Sequence, residues 1–277
     1  MLLGSLLESV SKKFKRIGIE GISFDSRKVK KGHAFFAIKG TNTSGNKFIN
    51  DAIIKGASVI ITSKKNKKIN IPLIVVKDVR KSLSEACSKF YKKKPKNIIA
   101  VTGTNGKSSV ADFFNQILTL NKISVASIGT LGIISKIYKK KIKLTSMDPL
   151  SLHNNLEVLA KKKINNVILE ASSHGLKQKR LDYLKIEAGI FTNLSHDHLD
   201  YHKNMKSYFD SKLYLFKNLL NKKSKIITDE DNLEYRKIKN ITNKRKLKKF
   251  TIGTKKGYLK ILSNAYKKNK QIIKISM

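Results

Sequence analysis

The sequence predicts an α/β protein: a small N-terminal α/β domain, then a P-loop-type, mostly parallel, doubly wound central domain. Three observations carry this. Short apolar runs alternate with helix-spaced segments from residue 98 onward, and AVTGTNGKSS at 100–109 joins a buried strand directly to a helix through glycines. Between the two parts, KKKPKN at 92–97 is charged, contains proline and is followed by a sharp change to apolar sequence. The expected domains are therefore 1–94 and 95–277.

In the first part, FFAIKG at 35–40, SVIITS at 58–63 and PLIVVKD at 72–78 read as strands, short apolar runs bounded by turn residues. Apolar residues at 48, 49, 52, 53 and 54 predict a short helix between Asn46 and Gly56, and residues 82–92 read as another. Beyond the linker, IIAV at 98–101 is a buried strand, and apolar positions 110, 113, 114, 117 and 118 give the next helix a hydrophobic stripe. VASIG at 125–129, NVILEA at 166–171, AGIFTN at 188–193 and KIITD at 225–229 are further strands. Helices over 151–163 and 204–220 separate some of them. Such alternation predicts a sheet whose ligands sit beyond the carboxyl ends of its strands. The tail, YLKILSNAY and then KQIIKISM, reads as a hairpin.

A chain of 277 residues with 40% apolar side chains has enough material for real cores. Its single cysteine, Cys87, excludes an intramolecular disulfide and fits a reducing compartment. The opening MLLGSLLESV lacks a basic region and carries Glu8 where a signal peptide is apolar, and no apolar run is long enough to span a bilayer. A soluble, cytoplasmic monomer without a membrane partner is the expectation. The net charge of +40 raises the question of a polyanion. However, the basic residues are 53 lysines against six arginines, scattered in runs such as KKNKK at 64–68 and KKK at 161–163. Arginine is the better reader of phosphates and bases. The lysines are read as solvated surface, with no specific nucleic acid expected. A non-catalytic nucleotide- or polyanion-binding protein is the rival from another class.

Three motifs carry chemistry. In the first, Gly103, Thr104, Asn105, Gly106, Lys107, Ser108 and Ser109 lead from a strand into a helix. Backbone N–H groups there close around phosphates, Lys107 reaches the outer phosphates and the Ser108 hydroxyl suits magnesium. Val101 stands where the common GxxxxGK[ST] pattern has its first glycine, so this loop is shorter. The second is Glu170, a carboxylate at a strand end beside that loop, followed by Ser172, Ser173, His174, Gln178 and Arg180. The third is FTNLSHDHLDYH at 191–202, where His196, His198 and His202 alternate with Asp197 and Asp200. Zinc is one use of such a run, but with no cysteine nearby magnesium–phosphate chemistry suits it better.

Occurring together and in this order, GTNGKSS, EASSHGL with QKR, and FTNLSHDHLDYH resemble the Mur ligase family. FDSRKVKKGHAFFAIKG at 24–40 is similar to the family's UDP-binding first domain, so the resemblance spans nearly the whole chain. It implies an ATP-dependent amide ligase of peptidoglycan synthesis that works through an acyl phosphate. The SSHGL…Q…R run points to the member that adds the third stem-peptide residue, meso-diaminopimelate or L-lysine, to UDP-N-acetylmuramoyl-L-alanyl-D-glutamate. A folylpolyglutamate synthase-like ligase is the alternative within the superfamily. Carried over by position, Ser26 and the Thr41-Asn42-Thr43 turn contact the UDP-sugar. Thr145, Ser146, Ser172, Gln178 and Arg180 contact the precursor peptide, Ser146 replacing a family threonine. Ser108 and Glu170 hold one magnesium ion. His198 and Lys212, the latter carboxylated on its amine, hold the other. The resemblance further implies a third, amino-acid-binding domain. The chain is expected to be an N-terminal fragment that binds precursor and phosphates without completing ligation alone.

Overall fold

The structure is a computed structural model that describes residues 1–40, 43–66, 68–268 and 270–277. It divides into two compact units, one of residues 1–94, 148–158 and 178–183, the other of residues 95–147, 159–177 and 184–277. Two stretches from beyond residue 95 thus belong with the first unit. Among the described residues, no helix is long and apolar enough to cross a membrane.

The first unit opens with α1 (Leu3–Leu6) and holds a parallel sheet in the order β1-β2-β3-β4: Gly21–Ser23, His33–Phe36, Ala57–Thr62 and Leu73–Val75. Strand alternation sends side chains to two cores. Ala34, Phe36, Val59 and Ile61 join Leu3, Leu6, Leu83 and Cys87 on one face. Phe35, Ala37 and Ile60 join Ile49 and Ala52 on the other. The helix expected over 46–56 begins as a tight 3₁₀ turn, Gly45–Phe48, and continues as α2, Ile49–Ile54. α3 runs over Val79–Phe90, a turn earlier than the sequence suggests, because the Asp78 carboxylate accepts the Lys81 N–H and caps it. The stretch 178–183 is tied to α3: the Ser84 and Ser88 hydroxyls donate to the carbonyls of Lys179 and Tyr183 at 2.5 and 3.0 Å.

In the second unit, β5 (Asn97–Thr102) leads through the glycine loop into α4 (Lys107–Leu120) and then β6 (Val125–Gly129). A hairpin of β7 (Gly132–Ser135) and β8 (Lys139–Lys140) follows, then α5 (Pro149–Lys161), whose first part belongs to the other unit. Next come β9 (Asn166–Glu170), α6 (Ser173–Lys177), β10 (Ile186–Phe191), α7 (Leu199–His202) and α8 (Met205–Tyr214). The helix expected over 204–220 changes character: after Tyr214 the turns widen into a π segment, Leu215–Leu219, which runs into β11 (Leu220–Asp229). α9 (Tyr235–Arg245), β12 (Lys248–Gly253), β13 (Leu259–Lys267) and β14 (Lys270–Ser276) complete the unit.

These strands form one sheet in the order β14-β13-β12-β11-β10-β5-β9-β6-β7-β8. From β13 to β6 every neighbour pair is parallel, and only the edge pairs are antiparallel. The central strands are accordingly near-continuous apolar runs, and Val101 of β5 and Ile168 of β9 share a core with Ala111 of α4. After β5 the chain moves out to β6 and returns to β9, and β10 then pairs with the opposite side of β5. This is a switch point, and it opens a crevice at the carboxyl end of β5.

Candidate active site

The register decides what meets at that crevice. Val101 pairs with Glu170 and Thr102 with Phe191, so the loop after β5 emerges between Glu170 and the Thr192-Asn193 segment. Thr192 and Asn193 hold the loop from one side. The Thr192 hydroxyl donates to the Asn105 carbonyl at 2.6 Å, and the Asn193 side chain accepts the Asn105 N–H at 2.9 Å. The Thr104 N–H donates to the Asn193 carbonyl at 2.9 Å. Gly103 sits at φ +151°, and a Cβ there would collide with the Thr192 hydroxyl. Only glycine lets the strand turn so close to its neighbour.

Glu170 defines the other side. It is buried, and its carboxylate accepts the Thr130 N–H at 2.9 Å and the Thr130 hydroxyl at 3.2 Å. The carboxylate lies against Gly129, where an added Cβ would meet it head-on. The Thr130 hydroxyl also lies 3.1 Å from that of Thr145. Ser146 is turned inward: its hydroxyl donates to the Glu170 carbonyl at 2.8 Å and accepts the Ser172 N–H at 2.9 Å. It fixes the backbone on which Glu170 and Ser172 stand.

Two lysines face the loop. Lys107 donates to the carbonyls of Gly103 and Thr104 at 3.0 and 2.7 Å. Burial holds its ammonium below the ordinary lysine range, against the charges of Glu170 and Asp197. Lys212, on α8, is 1% exposed and donates to the Gly103 carbonyl at 2.6 Å. Burial, aided by the Lys107 charge and opposed by Asp197, pushes it down to about 7. His198 opens α7 with φ +52°, and the Asp197 carboxylate accepts its N–H at 2.8 Å.

Thr104, Asn105, Gly106, Lys107, Ser108 and Ser109 thus line one pocket with Thr145, Glu170, Ser172, His198 and Lys212. Gly103 and Ser146 stand behind that wall through the bonds described. Thr130, Ser173 and Tyr208 also line it; the sequence motifs alone do not assign them a role. His202 is buried with its ring against His174 and Tyr208, at centroid distances of 5.5 and 5.2 Å. Burial pushes its imidazole down to about 4, favouring the uncharged ring.

The other expected contacts lie in the first unit. Ser26 is buried at the start of a 3₁₀ turn capped by Asp25, and the Thr43 carbonyl accepts the Gly40 N–H at 2.8 Å. Thr41 and Asn42 fall outside the described residues. Gln178 and Arg180 belong to this unit, and the Gln178 side-chain Oε1 accepts from Arg180 at 2.8 Å and from Arg80 at 3.2 Å. Arg80, on α3, also donates to the Lys39 carbonyl at 2.9 Å and is a further polar group that no sequence motif marks.

Known proteins supply a second line of support. Residues 101–276 match the family described as Mur ligase middle domain, and residues 18–91 match that described as Mur ligase family, catalytic domain. The UDP-N-acetylmuramoyl-L-alanyl-D-glutamate–2,6-diaminopimelate ligase of Rickettsia montanensis is 43% identical over 252 residues, covering 90% of this chain and 52% of that protein. A solved structure of a ligase of the same name superposes with a TM-score of 0.83 at 28% identity, covering 96% of this chain and 55% of that one. The MurF ligase from Thermotoga maritima in complex with ADP shares the fold, with a TM-score of 0.58 at 19% identity, covering 94% of this chain and 56% of that one. The chain spans about half the length of the curated relatives it matches.

Proposed function

The chain belongs to the Mur ligase family, and on that premise we propose that it carries the ATP- and precursor-binding sites of an amide ligase of peptidoglycan synthesis. The reaction is addition of meso-diaminopimelate to UDP-N-acetylmuramoyl-L-alanyl-D-glutamate. Relatives named for 2,6-diaminopimelate support that amino acid over L-lysine. One observation carries the reading: Lys107, Ser108, Glu170, His198 and Lys212 converge on a single pocket at the carboxyl end of the sheet.

The loop N–H groups and Lys107 take the ATP phosphates, a reading supported by the ADP complex of the Thermotoga maritima MurF ligase, which shares this fold. A precursor carboxylate oxygen attacks the γ-phosphorus, the bond to the bridging oxygen breaks, and ADP leaves. The amine of the amino acid then attacks the acyl carbon, loses a proton, and phosphate departs as the amide forms. Two anions must meet in the first step, so Lys107 and the loop donors lower its barrier by offsetting the developing charge.

The donor set fits magnesium: a hydroxyl (Ser108), a buried carboxylate held by neutral donors (Glu170) and an imidazole (His198). Lys212 fits only after its uncharged amine, which burial favours, adds to carbon dioxide and loses a proton to give an anionic carbamate. Ser108 and Glu170 would hold one ion, His198 and carboxylated Lys212 a second. Magnesium supplies charge neutralisation on the transferring phosphoryl group. Thr145, Ser146 and Ser172 serve the precursor peptide, with Ser146 acting through the backbone it fixes. Ser26, Thr41, Asn42, Thr43, Gln178 and Arg180 serve the UDP-sugar and peptide.

Titration with UDP-N-acetylmuramoyl-L-alanyl-D-glutamate at low and at physiological salt tests the reading. Saturable binding that persists at physiological salt is expected. Binding that collapses with salt and is matched by any polyphosphate would favour polyanion capture.

A further inference from the structure

We propose that Tyr208 is a positioning residue for the glycine loop, acting through the Thr104 hydroxyl. The proposal rests on the reading that the pocket takes nucleotide phosphates. Tyr208 is fully buried on α8, and its hydroxyl lies 3.2 Å from that of Thr104. Phenylalanine would fill the same volume without the desolvation penalty of a buried hydroxyl, so the oxygen must be explained by its partner.

That partner is saturated only when Tyr208 donates. The Thr104 oxygen accepts the Ser195 N–H at 2.9 Å, and its own proton points to the Ser195 carbonyl at 3.3 Å. One lone pair remains, and the Tyr208 O–H fills it. Thr104 is thereby fixed between the loop after β5 and the loop after β10. Its carbonyl receives Lys107 at 2.7 Å, so the rotamer of Thr104 and the place of the phosphate-binding lysine are linked.

The same ring has a second contact. Tyr208 and Lys212 are four residues apart on α8 and share a face, and the Lys212 nitrogen lies 4.3 Å from the ring centroid. One side chain therefore touches both a hydroxyl of the loop and the buried amine bound to the Gly103 carbonyl.

Calorimetric titration of the whole chain with magnesium ATP tests this, using Tyr208→Phe, Thr104→Val and the double variant. Each single change should weaken affinity roughly tenfold, the loss expected for one buried polar group left unpartnered. The melting temperature should fall by only a few degrees, because Tyr208→Phe keeps the ring and Thr104→Val keeps the branched shape. The double variant should be no weaker than the worse single, since both changes break one link. Tyr266→Phe, exposed on β13, should bind as wild type. Unimpaired binding by Tyr208→Phe, or fully additive losses, would overturn the proposal alone. Absence of wild-type binding would overturn the pocket reading and this proposal together.

Discussion

Lys107 and Lys212 donate to the same atom, the Gly103 carbonyl oxygen, at 3.0 and 2.6 Å. They come from elements far apart in the chain, the start of α4 and the end of α8. Two full positive charges at one carbonyl repel, and Lys212, the more buried, is the one pushed down to about 7. Two amines whose charged forms burial disfavours, Lys212 the more strongly, are thus kept side by side where phosphate chemistry is proposed.

Lys212 gives the first prediction. Incubated with ¹³C-bicarbonate near pH 8, the protein should show a carbamate resonance that Lys212→Ala abolishes. Lys217, half-exposed and paired with Asp210 at 3.4 Å, has no such environment, and Lys217→Ala should keep the signal. A resonance that survives Lys212→Ala would contradict the assignment.

Gly129 is the second. Its missing side chain leaves room for the Glu170 carboxylate, so Gly129→Ala should displace that group while leaving the strand intact. Magnesium dependence of nucleotide binding should weaken by roughly 10- to 100-fold, as for loss of a metal ligand's support. Unchanged magnesium dependence would show that Glu170 holds no metal.

A third concerns pH. Burial, with a contribution from Lys94, pushes the His153 imidazole from its ordinary 6.5 down to about 3. Above 6.5 it is neutral whether folded or not; between 6.5 and 3 only the unfolded chain takes the proton. Stability is therefore lost as pH falls through that window. His153→Leu should gain about 2 kcal/mol on wild type in going from pH 8 to pH 5, read by urea unfolding. Parallel pH profiles would remove His153 from the account.

The lysine surface makes a fourth. Random duplex DNA should bind weakly, with an affinity that falls steeply with salt. Tight, sequence-selective binding at physiological salt would mean that the charge serves a partner after all.

The central strands and the loop between β5 and α4 were readable because their apolar runs and glycines are local signals. Charge hid other elements: α9 buries only Ile238 and Thr242 among its lysines, and β12 begins Lys-Lys. VASIG reads as a strand, but the returning strand over 132–135 does not, and only pairing shows the β6–β7 hairpin around Thr130 and Leu131. At the site, Lys107 was visible at the helix start after the glycine loop and Glu170 at a strand end. The roles of Thr130, Thr192 and Asn193 were not, because they arise from register between strands distant in sequence, nor was that of Tyr208, which arises from a contact between α8 and the glycine loop. Lys212 illustrates the limit: one lysine among 53 is distinguished only by the family resemblance or by its burial.

The most direct test of the central claim is calorimetric titration of magnesium ATP into wild type and Lys107→Ala. A partly buried cation that meets phosphate should be worth roughly 100-fold in affinity. Wild type should bind saturably and Lys107→Ala at least that much more weakly. Equal affinities within about twofold would contradict the assignment of this loop to ATP.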